Sequence, residues 1–225
     1  MAKLKSKFVC QECGYETAKW LGKCPSCEEW NTFAEEFESK KTDAKSQRGI
    51  SKGMVEKLNN ITPAKKERIS TGSMEMDRVL GGGIIKSSLI LVGGDPGIGK
   101  STLLLQVADH AAKQNLKVLY VSGEESGEQI RIRADRLGIG DGDLYVLAET
   151  NIDIIIEYVE KEEPDLLVLD SIQTIYSPDV ASAPGSVTQV REVTSMVMRM
   201  TKTRNMTSFI VGHVTKSGAI AGPRV

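Results

Sequence analysis

The octapeptide Gly94-Asp95-Pro96-Gly97-Ile98-Gly99-Lys100-Ser101 fits the spacing G-x-x-x-x-G-K-[ST] at every position. Glycines at these points let backbone N–H groups turn inward around a phosphate, and a helix that starts there adds the partial positive charge of its amino end. The chemistry this predicts is the holding of a nucleoside triphosphate by Gly94 through Thr102. Lys100 would reach the β- and γ-phosphates, and the Ser101 hydroxyl would ligate Mg²⁺. Leu166-Leu167-Val168-Leu169-Asp170 is an apolar run closing on an acid, which suits a second Mg²⁺ contact, direct or through water. Val118 to Ser122 runs into Gly123-Glu124-Glu125. Glu124 is the candidate that orients or deprotonates an attacking water, and Glu125 reads as a helix-start residue complementing the dipole. Phe209 to Lys216 brings His213 to a further strand end, either as a γ-phosphate contact or as a structural histidine. His110 reads as structural.

These groups can meet only if the runs carrying them are parallel strands that end at one edge of a sheet. From Ile69 onward, apolar strand-like runs alternate with helix-like stretches, the pattern of βαβ units. The predicted strands are 89–92, 118–122, 144–147, 166–170 and 209–214, and the predicted helices are 101–114, 127–137, 152–162 and 187–203. The fold class is therefore α/β, with a mostly parallel central sheet around a phosphate-binding loop.

All four cysteines lie in the first 27 residues, as Cys10-x-x-Cys13 and Cys24-x-x-Cys27 with ten residues between the pairs. Two such knuckles can aim four thiolates at one tetrahedral Zn²⁺. Disulfides and a redox dithiol are the alternatives; the absence of a signal-like amino terminus argues against the first, and the lack of a helix-opening context against the second. Four protein ligands leave no open position, so the metal is expected to be structural. A module this small cannot bury enough apolar surface, so metal affinity becomes its folding free energy. Gly14 and the Gly22-Lys23 turn are expected to supply flexible backbone, and Lys19 and Lys23 to offset thiolate charge. Trp20 and Trp30 are expected to pack over the metal site, contact with a base or a partner being the other reading.

The expected domains are a four-cysteine module over residues 1–36, a basic linker over 37–67 with a short helical turn near 54–58, and the nucleotide-binding domain over 68–225. The net charge of −1 hides an uneven distribution. Lys40 to Arg68 holds nine Lys/Arg against three Asp/Glu, and Arg191 to Val225 holds six against one. Such runs offer basic surface to a polyanion, though solvated faces would look the same. No apolar run of about 18 residues is present, which predicts a cytoplasmic chain without a membrane partner. The chain stops a few residues after a strand, where a doubly wound sheet would continue, so a fragment is expected.

Taken together, the motifs resemble those of the RadA (Sms) bacterial DNA repair ATPases of the RecA superfamily. The match is carried by the two cysteine knuckles with Lys19-Trp20-x-Gly22 and Trp30-Asn31-Thr32, by Gly93 through Thr102, and by Gly212 to Lys216 with Ile220 to Arg224. Thr71-Gly72, Asp77 and Leu80 to Gly83 resemble the approach to the RecA-type core. The resemblance implies a RecA-like P-loop core behind a zinc-ribbon-like module. It further implies ATP hydrolysis between subunits of a hexameric ring or filament, single-stranded and branched DNA as partners, and branch migration of recombination intermediates. A recombinase or replicative helicase is an implied protein partner. By the same similarity, residues 176–189 and 216–224 would face DNA, with Lys216 and Arg224 neutralising phosphates. Lys86-Ser87-Ser88 stands where the family has a glycine, which predicts an altered turn. Relatives in this family continue into a Lys-Asn-Arg-Phe-Gly motif and a Lon-protease-like domain. A nucleotide-switched RecA-like scaffold and a zinc-finger adaptor that merely binds nucleotide are the competing functions, and the basic linker and basic terminal segment favour the motor.

Overall fold

A computed structural model describes residues 6–37, 57–60 and 68–213. The expected turn at 54–56, most of the linker, Val214, Lys216 and Arg224 lie outside the described residues. Among the described residues no helix is long and apolar enough to cross a membrane.

The amino-terminal module is an antiparallel sheet in the order β2-β1-β3, built from β1 (Ser6–Cys10), β2 (Glu16–Thr17) and β3 (Phe33–Phe37). Among the described residues its buried apolar groups are few: Val9, Cys10, Cys24 and Phe33, with Tyr15 edge-on to Phe33 at 6.5 Å. That is too little to hold a sheet by hydrophobic burial alone. Trp20 and Trp30 add nothing to it, being 53% and 67% exposed, which corrects the expectation that they cover the metal site. Their rings instead converge over Gly22, where a Cβ would lie 3.8 Å from both.

After a 3₁₀ turn at Leu58–Asn60 comes α1 (Met74–Val79), which the sequence reading missed. None of its six residues is fully buried, and its one packed apolar side chain, Met76 against the main core, makes too short a stripe to read. It is held by its start. Ser73 caps it by accepting from the Met76 N–H, and Asp77 accepts from the Thr71 N–H at 2.8 Å, the Thr71 hydroxyl at 2.7 Å and the Ser70 hydroxyl at 2.8 Å. Burial acting alone would raise the Asp77 pKa, but these donors hold it below the usual carboxylate range. Gly72, at φ +80°, lets the chain pass the His110 ring; a Cβ there would lie 2.7 Å from it, consistent with a structural His110.

The main domain is a five-stranded parallel sheet, β4 (Leu89–Gly94), β5 (Val118–Ser122), β6 (Leu144–Ala148), β7 (Leu166–Asp170) and β8 (Thr207–His213), in the order β4-β8-β7-β5-β6. Helices α2 (Lys100–Lys113) and α3 (Gly127–Leu137) cover one face, and α4 (Ile152–Glu162) and α5 (Val187–Thr203) the other. In β7, Leu166 and Val168 pack with Leu104, Ala108 and Ala111 of α2, while Leu167 and Leu169 pack with Ile155 of α4 and Val193 of α5. Both faces being dry, the strand reads as one continuous apolar run. Each such side chain contributes roughly 1.5–3 kcal/mol of burial.

The strands at 118–122 and 166–170, and the helices at 127–137, 152–162 and 187–203, fall where the sequence predicts them. In the turn before β4, where the sequence has Lys86-Ser87-Ser88, Ser87 takes the left-handed conformation, φ +63°, and its hydroxyl meets the Asn205 side chain. Within residues 176–189, expected to face DNA, the segment before α5 is tied down. The buried Gln189 amide donates among the Ser177, Val180 and Ser182 carbonyls, and its oxygen accepts the Ser177 N–H.

Asp77→Ala should leave a backbone N–H and two hydroxyls without their acceptor, lowering stability by about 1–3 kcal/mol. In urea melts the difference from the parent should be full at neutral pH and shrink as acid protonates Asp77 below the usual carboxylate range, since a depressed pKa stabilises only while the group is ionised. In the small module, Cys24→Ser should release about one Zn²⁺ per chain in a metal assay and unfold β1 to β3 while leaving the melt of the parallel-sheet domain in place.

Candidate functional site

Parallel pairing puts the last residues of β4, β5, β7 and β8 at one edge. Register does the fine placement: Gly94 stands opposite His213, and Ser122 opposite Asp170. Gly94 to Gly99 then loops into α2, with Gly97 at φ +78° and Gly99 at φ +98°. A Cβ at either would strain the backbone and project into open space in front of the loop. That space, faced by the amino end of a 14-residue helix, fits a phosphate. Lys100, 93% buried, donates to the Gly94 and Asp95 carbonyls, both at 2.8 Å, and lies 3.3 Å from His213 Nδ1.

Glu124 and Glu125 part company here. Glu124 Oε1 accepts from the Ser171 hydroxyl at 2.6 Å and lies 3.1 Å from His213 Nε2. Glu125 turns to α3 and pairs with Arg133 at 2.7 Å. The Ser171 hydroxyl, with His213 and Lys100 behind it, holds the Glu124 pKa below the carboxylate range against the opposing effect of burial. His213 thus spans from the Lys100 ammonium to the Glu124 carboxylate. One neutral tautomer serves both: Nδ1 accepts from Lys100, and Nε2–H donates to Glu124.

Asp170 is buried at the end of β7, and its Oδ2 accepts a 2.5 Å hydrogen bond from the Tyr120 hydroxyl. Burial, with the Asp170 charge beside it, pushes the Tyr120 phenol far above its usual range, so it remains a donor. The same hydroxyl lies 3.5 Å from the Ser101 carbonyl, which places Asp170 beside the first turn of α2. The sequence-predicted set, Gly94 to Thr102, Glu124, Asp170 and His213, is therefore brought together at one edge. Ser171 and Tyr120 were missed. A polar-tipped tyrosine inside an otherwise apolar strand was the readable signal for Tyr120, because a buried phenol needs a partner.

A cleft of about 270 Å³ adjoins this edge, lined by Ser122 to Ser126 and by Ala148 to Thr150. A larger cavity, about 440 Å³, sits at the opposite edge among Lys86, Asp165 and Asn205, away from every motif.

In the small module the four cysteine sulfurs lie within 4.8 Å of one another, with Cys10 to Cys27 at 3.7 Å and Cys13 to Cys24 at 3.6 Å. A tetrahedral ion with bonds of ~2.3 Å sets its sulfurs about 3.8 Å apart, so the cage fits zinc. Burial pushes the Cys27 thiol up to about 12, and four thiolates here call for a cation. The Thr32 hydroxyl, 3.1 Å from Cys10 Sγ, is a further donor to the cage that spacing did not suggest. The knuckles close at Gly14, φ +75°, and at Glu28, φ +63°, so the second flexible position is Glu28 and not Gly22. Lys23 pairs with Glu28 at 3.5 Å.

Comparison with known proteins agrees with both halves. The family model described as rubredoxin metal binding domain matches residues 8–35, and the one described as AAA domain matches residues 60–219. Over its whole length the chain is 54% identical to a DNA repair protein RadA of Halalkalibacterium halodurans, covering 50% of that protein. It is 52% identical to proteins of the same name from Listeria monocytogenes and Bacillus subtilis, covering 49% and 50% of them. The chain thus spans about half the length of the curated relatives it matches. With a zinc ribbon ahead of a RecA-like five-stranded core, the chain belongs to the AAA domain family, alongside RadA proteins that share more than half of its residues.

Proposed function

We propose that this chain is the nucleotide-hydrolysing part of a DNA repair motor. The observation that carries the reading is the meeting of Lys100, His213, Glu124 and Asp170 at the carboxyl edge that also holds the phosphate loop. Gly94 to Thr102 would hold ATP, with the loop N–H groups and Lys100 on its phosphates. Ser101 and Asp170 would hold Mg²⁺, which supplies neutralisation of phosphate charge when bound. Glu124 would align water and take its proton, and His213 would feel the γ-phosphate through Lys100 and Glu124.

The names of the relatives direct the energy of hydrolysis to DNA repair. Single-stranded and branched DNA are the proposed substrates, with branch migration the proposed work and a ring of subunits, hexameric in the full-length protein, the proposed assembly. Lys216 and Arg224 are the proposed phosphate contacts, and residues 176–189 a further proposed DNA-facing segment. A recombinase or replicative helicase is the proposed protein partner, and the cytoplasm the proposed location.

Lys100→Ala should reduce ATP turnover by about 10²-fold or more. Glu124→Gln should slow hydrolysis about 10²–10⁴-fold with nucleotide binding retained, while Glu125→Gln should turn over like the parent. The reverse order for the two glutamates would reassign the base. In a phosphate-release assay on this chain and on a longer version reaching the length of its relatives, single-stranded DNA should stimulate turnover. Turnover indifferent to DNA in both would favour a nucleotide switch, and no turnover in either a binding adaptor.

A further inference from the structure

We propose that Tyr120 is a positioning residue for the divalent cation: its phenol fixes the rotation of the Asp170 carboxylate beside the first turn of α2. The inference rests on reading Gly94 to Thr102 with Asp170 as a Mg²⁺–nucleotide site.

Tyr120 is fully buried in the middle of β5 and pairs with Val168, two residues before Asp170 on the same face of β7. Its hydroxyl lies 2.5 Å from Asp170 Oδ2 and 3.5 Å from the Ser101 carbonyl. A phenol has one proton, and the shorter, charged partner takes it. The torsion that turns an aspartate carboxylate is broad and roughly two-fold, so nothing intrinsic to Asp170 decides which oxygen faces α2. A hydrogen bond to Oδ2 decides it, and leaves Oδ1 as the oxygen that the phenol does not hold. Packing does not require the hydroxyl. Phenylalanine would fill the same space, and a buried hydroxyl is costly unless it is partnered. Hydrogen bonds that orient a metal's ligands typically account for 10–100-fold in metal affinity.

The test is a titration of free Mg²⁺ into this chain holding a fluorescent ADP analogue, starting from EDTA. Tyr120→Phe should bind the analogue as the parent does without metal, yet need about tenfold more Mg²⁺ to reach half of the metal-dependent gain. An unchanged Mg²⁺ midpoint overturns the proposal. So does equal weakening with and without metal, which would mean that the hydroxyl only ties β5 to β7. Asp170→Asn is the control on the underlying reading: if it keeps the metal-dependent gain, the site assignment fails and not merely the role of Tyr120. A second measurement keeps the hydroxyl and so does not depend on the variant folding. With 3-fluorotyrosine placed at position 120, the ¹⁹F resonance should move when Mg²⁺ joins the ADP-bound chain and stay still when Mg²⁺ is added alone. A resonance indifferent to Mg²⁺ in both cases overturns the proposal.

Discussion

The site exists because five strands run parallel in one register. Gly94 faces His213 and Ser122 faces Asp170 across hydrogen-bonded neighbours, so the phosphate loop, Glu124 and Asp170 arrive at one edge. A slip of one residue in β7 would turn Asp170 to the face of α4 and α5 and break the Tyr120 contact. Dry packing on both faces enforces the register: Leu166 and Val168 on one side, Leu167 and Leu169 on the other. The core, in this sense, is what sets the distances at the edge.

At that edge His213 stands between the Lys100 ammonium and the Glu124 carboxylate, with Ser171 adding a second donor to the carboxylate. Asp170 keeps to itself with Tyr120, on the α2 side. The two acids are thus held by different donors and take separate environments, which is what assigning one to metal and the other to water requires. The zinc ribbon works by the opposite economy. Its sheet is nearly without a core, and four sulfurs and one threonine hydroxyl do the organising that dozens of aliphatic groups do in the larger domain.

Much of this was legible in the residues. Strands buried on both faces announce themselves as unbroken apolar runs, and helices such as 127–137, with Ser126 and Gln129 forming a capping box, mark their own starts. The phosphate loop and the cysteine pairs are local patterns, so their geometry followed from spacing. What stayed hidden depended on tertiary contact. Helix α1 packs only Met76, partly buried, against the core, and Asp77 reaching back to Thr71 holds its start. Ser171 and Tyr120 carry no motif, and their roles appear only once β5 and β7 are neighbours. The tryptophans misled because large apolar residues in a tiny module suggest a core, whereas here they stand outward over Gly22.

Two donors converge on a single oxygen of Glu124, one from Ser171 and one from His213. Both donors lower the pKa of the carboxylate, so it takes a further proton less readily than a free one. His213 is the last residue of β8, so a small displacement of that strand end would strip away one donor and make Glu124 more basic without moving the glutamate itself. The reactivity of the carboxylate is in this way set by the position of a neighbouring strand.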